Sequence, residues 1–309
     1  MYTNLIIIVL FSFIAHYLYR NYKETEEMFD SQEHYSLVSD YFIGEKMNRR
    51  KPILWMHTST EVNARNWESF YSRNTTRLNQ PYLQITMKSI YDKCKDSFNI
   101  CLIDDDVFRR LLSWNIDLED LADPMKSHYR QLGLSMLLHQ YGGFLVPQSF
   151  LCTKNLIDLY RQGLSSHTMF VIENVNHGIT YDQSPFSASM DMMACKKKST
   201  KMDEFVRFQE TLYKDRTNQS DFIGNTSLWL QKNVHTINGA CIGIKKTDGK
   251  PVSIEELLGM EQIQLPALYG IYLPQDEILS RTKYNWFARM STKQILKSRL
   301  CISKYMAQS

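Results

Sequence analysis

The sequence predicts a layered α/β domain carried behind an apolar N-terminal helix. Three observations predict it. Short apolar runs alternate with helix-length amphipathic stretches from Pro52 onward. Hydrophobic residues make up 43% of the 309 residues and charged residues 22%, which is enough apolar material for a sizeable core. Residues 5–19, LIIIVLFSFIAHYLY, are apolar around the whole helical circumference and interrupted only by Ser12 and His16.

At about 1.5 Å per residue that run is roughly 22 Å long, short of a ~30 Å hydrocarbon layer. Met1 and Tyr2 on one side, and Tyr17, Tyr19, Arg20 and Lys23 on the other, extend its reach. No basic segment precedes it, and a bulky Tyr-Leu-Tyr-Arg ending replaces a small-residue cleavage site. The expectation is a single-pass membrane protein: an anchor over residues 1–19, a polar stalk over 20–49 and the α/β domain over 50–309. Arg20 and Lys23 place the domain in the cytosol, whereas glycosylation sequons at Asn74, Asn218 and Asn225 point the other way. The side stays open.

The remaining elements follow in order. PILWMH reads as the first strand and EVNARNWESFYSR as an amphipathic helix; FNICLI (98–103) reads as a second strand. Asp104 then caps a helix bearing Phe108, Leu111 and Leu112. A long helix passes through Leu134, Leu137 and Leu138 to Tyr141, where Gly142 and Gly143 stop it. FLV begins a strand that Pro147 interrupts. MFVIEN, MDMMAC and ACIGI are further strands, with helices near 202–214 and 254–260.

Composition also excludes several classes. A formal charge of +3 spread over scattered basic residues gives no footprint for nucleic acid. Six cysteines without a C-x-x-C pair support neither a zinc site nor a redox dithiol. Walker-type loops, G-x-S-x-G elbows and H-E-x-x-H helices are missing from the sequence.

The segment PMKSHYRQLGLSMLLHQYGGFLVPQSF (124–150) resembles the core of the glycosyltransferase family that includes yeast initiating mannosyltransferases and bacterial capsular polysaccharide enzymes. In that family a helix runs into a Tyr-Gly-Gly turn, here Tyr141, Gly142 and Gly143. Trp55 is similar to the family's Trp after the opening strand. The resemblance implies a GT-A-like (Rossmann-like) mixed sheet flanked by helices. It also implies retaining transfer of a hexose from a nucleotide sugar to a glycan or protein acceptor, with Mn²⁺ or Mg²⁺ held by Asp-x-Asp at the next strand's end. Hard cations want carboxylate oxygens, and such a cation neutralises the departing diphosphate.

This chain departs from the pattern. Pro147, Gln148 and Ser149 stand where the family has Asp-x-Asp, and Leu134 where it has a helical Arg; Arg130 lies four residues earlier on a nearby face. Asp104, Asp105 and Asp106 form another acidic cluster, with Asp104 and Asp106 as metal ligands; the bland reading is an N-cap and first-turn acids. Asp191 is a further candidate carboxylate, or simply a paired surface acid. His57 and Arg65 follow the first strand, where nucleotides sit in α/β folds, though a surface helix explains them equally. In YNWFARM (284–290) Arg289 would stack on a base or sugar, or cap a core. Lys293, Lys297, Arg299 and Lys304, set among apolar residues, suit an anionic membrane surface or an ordinary basic helix. Three functions remain: a membrane-anchored glycosyltransferase whose turn at 141–143 floors a sugar-nucleotide cleft, an inactive glycan-binding or scaffold protein on the same fold, and an unrelated α/β domain with a chance Gly-Gly turn.

Overall fold

A six-stranded mixed sheet organises the chain. The computed structural model describes residues 32–44, 46–58, 80–112, 114–176, 184–214, 222–266 and 269–308. The expected anchor, and Arg65 with the helix around it, lie outside the described residues. Among the described residues no helix is long and apolar enough to cross a membrane.

The strands are β1 (Ile53–His57), β2 (Asn99–Ile103), β3 (Gly143–Leu145), β4 (Phe150–Cys152), β5 (Met169–Val175), β6 (Phe186–Cys195), β7 (His235–Ile237) and β8 (Gly270–Tyr272). β1 pairs parallel with β2 on one side and β3 on the other; β6 runs antiparallel between β3 and β5, and β7 pairs parallel with β5. Central strands are apolar on both faces because helices cover both, as parallel sheets require. The pleat divides β1: Ile53 and Trp55 join one core with Leu145, Val171 and Met193, while Leu54 and Met56 join the other with Phe144, Phe170 and Ile172.

The helices are α1 (Gln32–Ser39), α2 (Pro81–Cys94), α3 (Asp106–Leu112), α4 (Met125–Tyr141), α5 (Ile157–Ser165), α6 (Thr200–Lys214), α7 (Phe222–Asn233), α8 (Ile254–Leu257), α9 (Gln275–Ser280), α10 (Asn285–Ala288), α11 (Thr292–Lys297) and α12 (Cys301–Met306). Pro81 opens α2 at a position where a missing N–H costs nothing. β4 and β8 form a separate two-stranded sheet. Around it a third core gathers Tyr82, Leu151, Ile271, Phe287, Ile295 and Ile302, so the C-terminal helices belong to the domain.

Two expectations change. ACIGI is no strand: residues Gly239–Ile242 make a 3₁₀ turn, started by the Asn238 side chain accepting the Ala240 N–H and ended by Gly243 at φ 74°. A capped, glycine-terminated turn overrides an apolar run too short to pair. In the polar stretch of 20–49, Leu37, Val38, Tyr41, Phe42 and Met47 pack against the domain core rather than hanging free. Val38 and Met47 are buried, Phe42 bridges Cys101, and Leu102 donates to the Tyr41 carbonyl. This covers the outer edge of β2, which would otherwise offer unpaired backbone groups.

Candidate functional site

The chain goes from β1 to β2 on one side of it, then crosses to β3 on the other side and builds outward from there with β6, β5 and β7. The sheet order therefore reverses between β1 and β3, and the carboxyl ends of β1, β2 and β3 are where an open α/β sheet receives a ligand. His57 ends β1 and Asp105 follows β2. One turn into α4, Arg130 reaches across to them. Arg130 grips Asp105 through two parallel hydrogen bonds, Nε to Oδ1 at 2.8 Å and Nη2 to Oδ2 at 2.6 Å. His57 Nε2 meets the same Oδ1 at 2.8 Å, with its imidazole stacked over Phe108. Burial alone would raise the Asp105 carboxyl, but the hydrogen bonds from Arg130 and His57 hold it well below the usual carboxylate range.

The other two members of the acidic trio turn away. Asp104 accepts the N–H of Asp106, and Asp106 pairs with Arg109 at 2.8 Å. The three carboxylates thus serve three different partners, and Asp104 with Asp106 makes no metal site. Helix-start chemistry decides this, because a first turn offers its own unpaired N–H groups to acids.

Pro147, Gln148 and Ser149 stand at the carboxyl end of β3, and Gln148 and Ser149 face inward. The Gln148 carbonyl accepts Thr86 Oγ1, the Gln148 amide reaches Gln275 Oε1 at 3.3 Å, and Ser149 Oγ donates to the Leu273 carbonyl at 2.8 Å. Gln148 is 4% exposed and Ser149 1%. This turn fastens β3 to α2 and β8 and offers a cation nothing. Among the described residues no group of three or more His, Cys, Asp or Glu side chains converges on a point. The metal implied by the resemblance does not fit these residues.

Asp191 sits where β6 leaves its ladder. Val171 pairs with Met193 and Ile172 with Ser189, so residues 190–192 are extra on the β6 side and form a bulge, a device that re-aims side chains near functional edges. Asn174 and Ser189 both donate to Asp191 Oδ2, at 2.6 and 2.8 Å. Sequence reasoning missed Asp276, at the start of α9. It remains in contact with solvent, yet its carboxyl is raised by the crowding around it and by Asp191, against a lowering pull from Arg130. Its only sequence signal was an acid just past an apolar strand, a pattern too common to single out. Beside Asn174 a cavity of about 370 Å³ opens, lined also by Asn176, Tyr272, Pro274, Glu277 and Arg281.

Tyr141, Gly142 and Gly143 occupy the opposite, amino end of β3, roughly 10 Å away at ~3.3 Å per strand residue, and Trp55, whose backbone pairs with Leu145, reaches back to them with its indole. All four are buried. Trp55 Nε1 donates to the Gly142 carbonyl at 2.9 Å, and Tyr141 hydroxyl donates to the Leu111 carbonyl. The turn therefore closes α4 onto β3 inside a packed interior and does not floor a cleft. That expectation is corrected, because the strand between the glycines and the ligand edge separates the two.

No known family model matches the chain, and no curated protein sequence is similar to it. Among solved structures, it is similar to the galactosyltransferase LgtC bound to donor and acceptor sugar analogues (12% identity, 61% of this chain and 74% of that one, TM-score 0.35). It is similar to mouse xyloside xylosyltransferase 1 (7% identity, 62% and 86%, TM-score 0.39). A 4-diphosphocytidyl-2C-methyl-D-erythritol synthase from Anaerococcus prevotii is similar to the same degree (10% identity, 67% and 94%, TM-score 0.33). At these identities and scores the likeness is a general α/β arrangement and says nothing of activity.

Proposed function

We propose that the chain is a membrane-anchored, glycosyltransferase-like protein that binds a nucleotide-activated sugar over the carboxyl ends of β1, β2 and β3. The observation that supports this is Arg130, fixed by Asp105 and His57 at the point where the strand order reverses. With its Nε and Nη2 taken by Asp105, this guanidinium would meet a diphosphate through its Nη1 donors and its permanent charge. The cavity beside Asn174 offers the room and the amide and carboxylate groups that sugar hydroxyls need. The apolar run 5–19 would hold the domain at a bilayer, with its side open.

Transfer of a hexose to a glycan or protein is the activity the resemblance suggests. The locked, carboxylate-free turn at 147–149 favours a second reading, an inactive glycan-binding or scaffold module on the same fold. Both readings share the nucleotide edge. Calorimetric titration of the full chain with UDP, GDP and their sugar conjugates, with Mn²⁺ or with EDTA, tests them together. The expected result is binding of a nucleoside diphosphate that EDTA leaves intact and that Arg130→Ala weakens at least about tenfold, as loss of a charge-assisted hydrogen bond would. Release of free nucleotide upon adding acceptor glycans would favour transfer. If no nucleotide binds under either condition, both readings fall and an unrelated α/β domain remains.

A further inference from the structure

From Arg281 to the C-terminus the chain carries Arg281, Lys283, Arg289, Lys293, Lys297, Arg299 and Lys304 and no acidic residue, so the remainder of this +3 chain is net acidic. All seven side chains are exposed. Arg281 pairs with Glu277 and Lys283 with Glu255, each at 3.2 Å. The other five have no acidic partner among the described residues.

Large apolar side chains stand among them. α11 buries Ile295, which turns Lys293, Leu296 and Lys297 to solvent on the opposite face at helical spacing. α10 buries Phe287 and Ala288, which leaves Trp286 outward with Arg289 one turn on. Trp286 and Leu296 are each 42% exposed and Met260 is 72% exposed. Met260 belongs to the same end of the domain, because the neighbouring Gly259 carbonyl accepts the Cys301 N–H that starts α12.

We propose that this C-terminal face, built on α10, α11 and the start of α12, docks on an anionic lipid surface. Basic side chains without acidic partners supply attraction to acidic headgroups, and Trp286, Leu296 and Met260 supply apolar groups that enter the headgroup–acyl boundary. A lysine-flanked Trp and Leu on short helices suit that boundary, where one side is wet and the other is not. An apolar run at residues 5–19 would keep this face close to a bilayer. The inference is independent of the nucleotide reading.

Hydrogen exchange of the full chain reconstituted in vesicles tests it, since the N-terminal run is common to every sample. Neutral phosphatidylcholine vesicles are compared with vesicles containing one third phosphatidylserine, at low and high salt. The expected result is a several-fold slowing of exchange over residues 285–299 in anionic vesicles alone, reversed by salt and absent in Lys293→Glu/Lys297→Glu/Arg299→Glu. Unchanged exchange in β1 and β3 would show that the variant folds. Equal exchange of 285–299 in neutral and anionic vesicles overturns the proposal. So does equal slowing by heparin or double-stranded RNA without lipid, which would make the face a general polyanion site.

Discussion

Asp105→Ala is expected to lower the unfolding free energy by about 3 kcal/mol, the lower end of the cost of breaking a buried pair from one side. The two partners are 16% and 20% exposed, so solvent relieves part of the penalty. Removing the carboxylate strands two donors at once, Arg130 and His57, at the edge where they would otherwise act together. Urea unfolding read by far-UV circular dichroism measures the loss, and a variant with the wild-type midpoint would show that the pair has no structural role. Nucleotide affinity should fall in parallel, because Arg130 loses the partner that aims it.

The same carboxyl predicts a pH dependence. Its folded-state pKa is depressed, so its contribution to stability is fully present above the ordinary carboxylate range, about pH 4, and is lost as pH falls through and below it. The stability difference between wild type and Asp105→Asn should therefore shrink steadily on acidification below about pH 4. A difference that stays constant there would mean that Asp105 is not held ionised by its neighbours.

Gly143→Ala is the second substitution with a large expected effect. Gly143 has φ 110°, a conformation that side chains rarely adopt, and a Cβ there would lie 2.5 Å from the Ile53 carbonyl oxygen and 3.0 Å from Trp55 Nε1. Both obstacles belong to β1, at the middle of the sheet, so neither can move without disturbing strand pairing. Backbone strain and overpacking each cost about 1–3 kcal/mol, for a combined loss of roughly 2–6 kcal/mol. The denaturation midpoint should drop sharply or the chain should fail to accumulate in soluble form. A mild effect would mean that β1 and β3 are farther apart than the register of Leu54 with Phe144 places them.

Much of the scaffold was legible because each strand announces itself locally. ILWMH, NICLI and MFVIENV are apolar, β-rich runs bounded by polar turns, and α4 ends at paired glycines in the sequence as in space. The packing of Val38, Phe42 and Met47 was not legible, since one buried Val, one buried Met and a backbone bridge leave no periodic signature. Site residues were harder still. Asp104, Asp105 and Asp106 are equivalent as letters, and only their separate partners single out Asp105.

Local chemistry along the chain was sufficient to determine that it builds an α/β domain, that glycines 142 and 143 end a helix, and that no carboxylate follows β3. These depend on apolar spacing, backbone freedom and residue identity, all properties of neighbours in sequence. Tertiary structure alone decided that the glycine turn is interior and that Arg130 of α4 meets Asp105 after β2. Those partners are separated by tens of residues or more, and only the order in which strands pair brings them together.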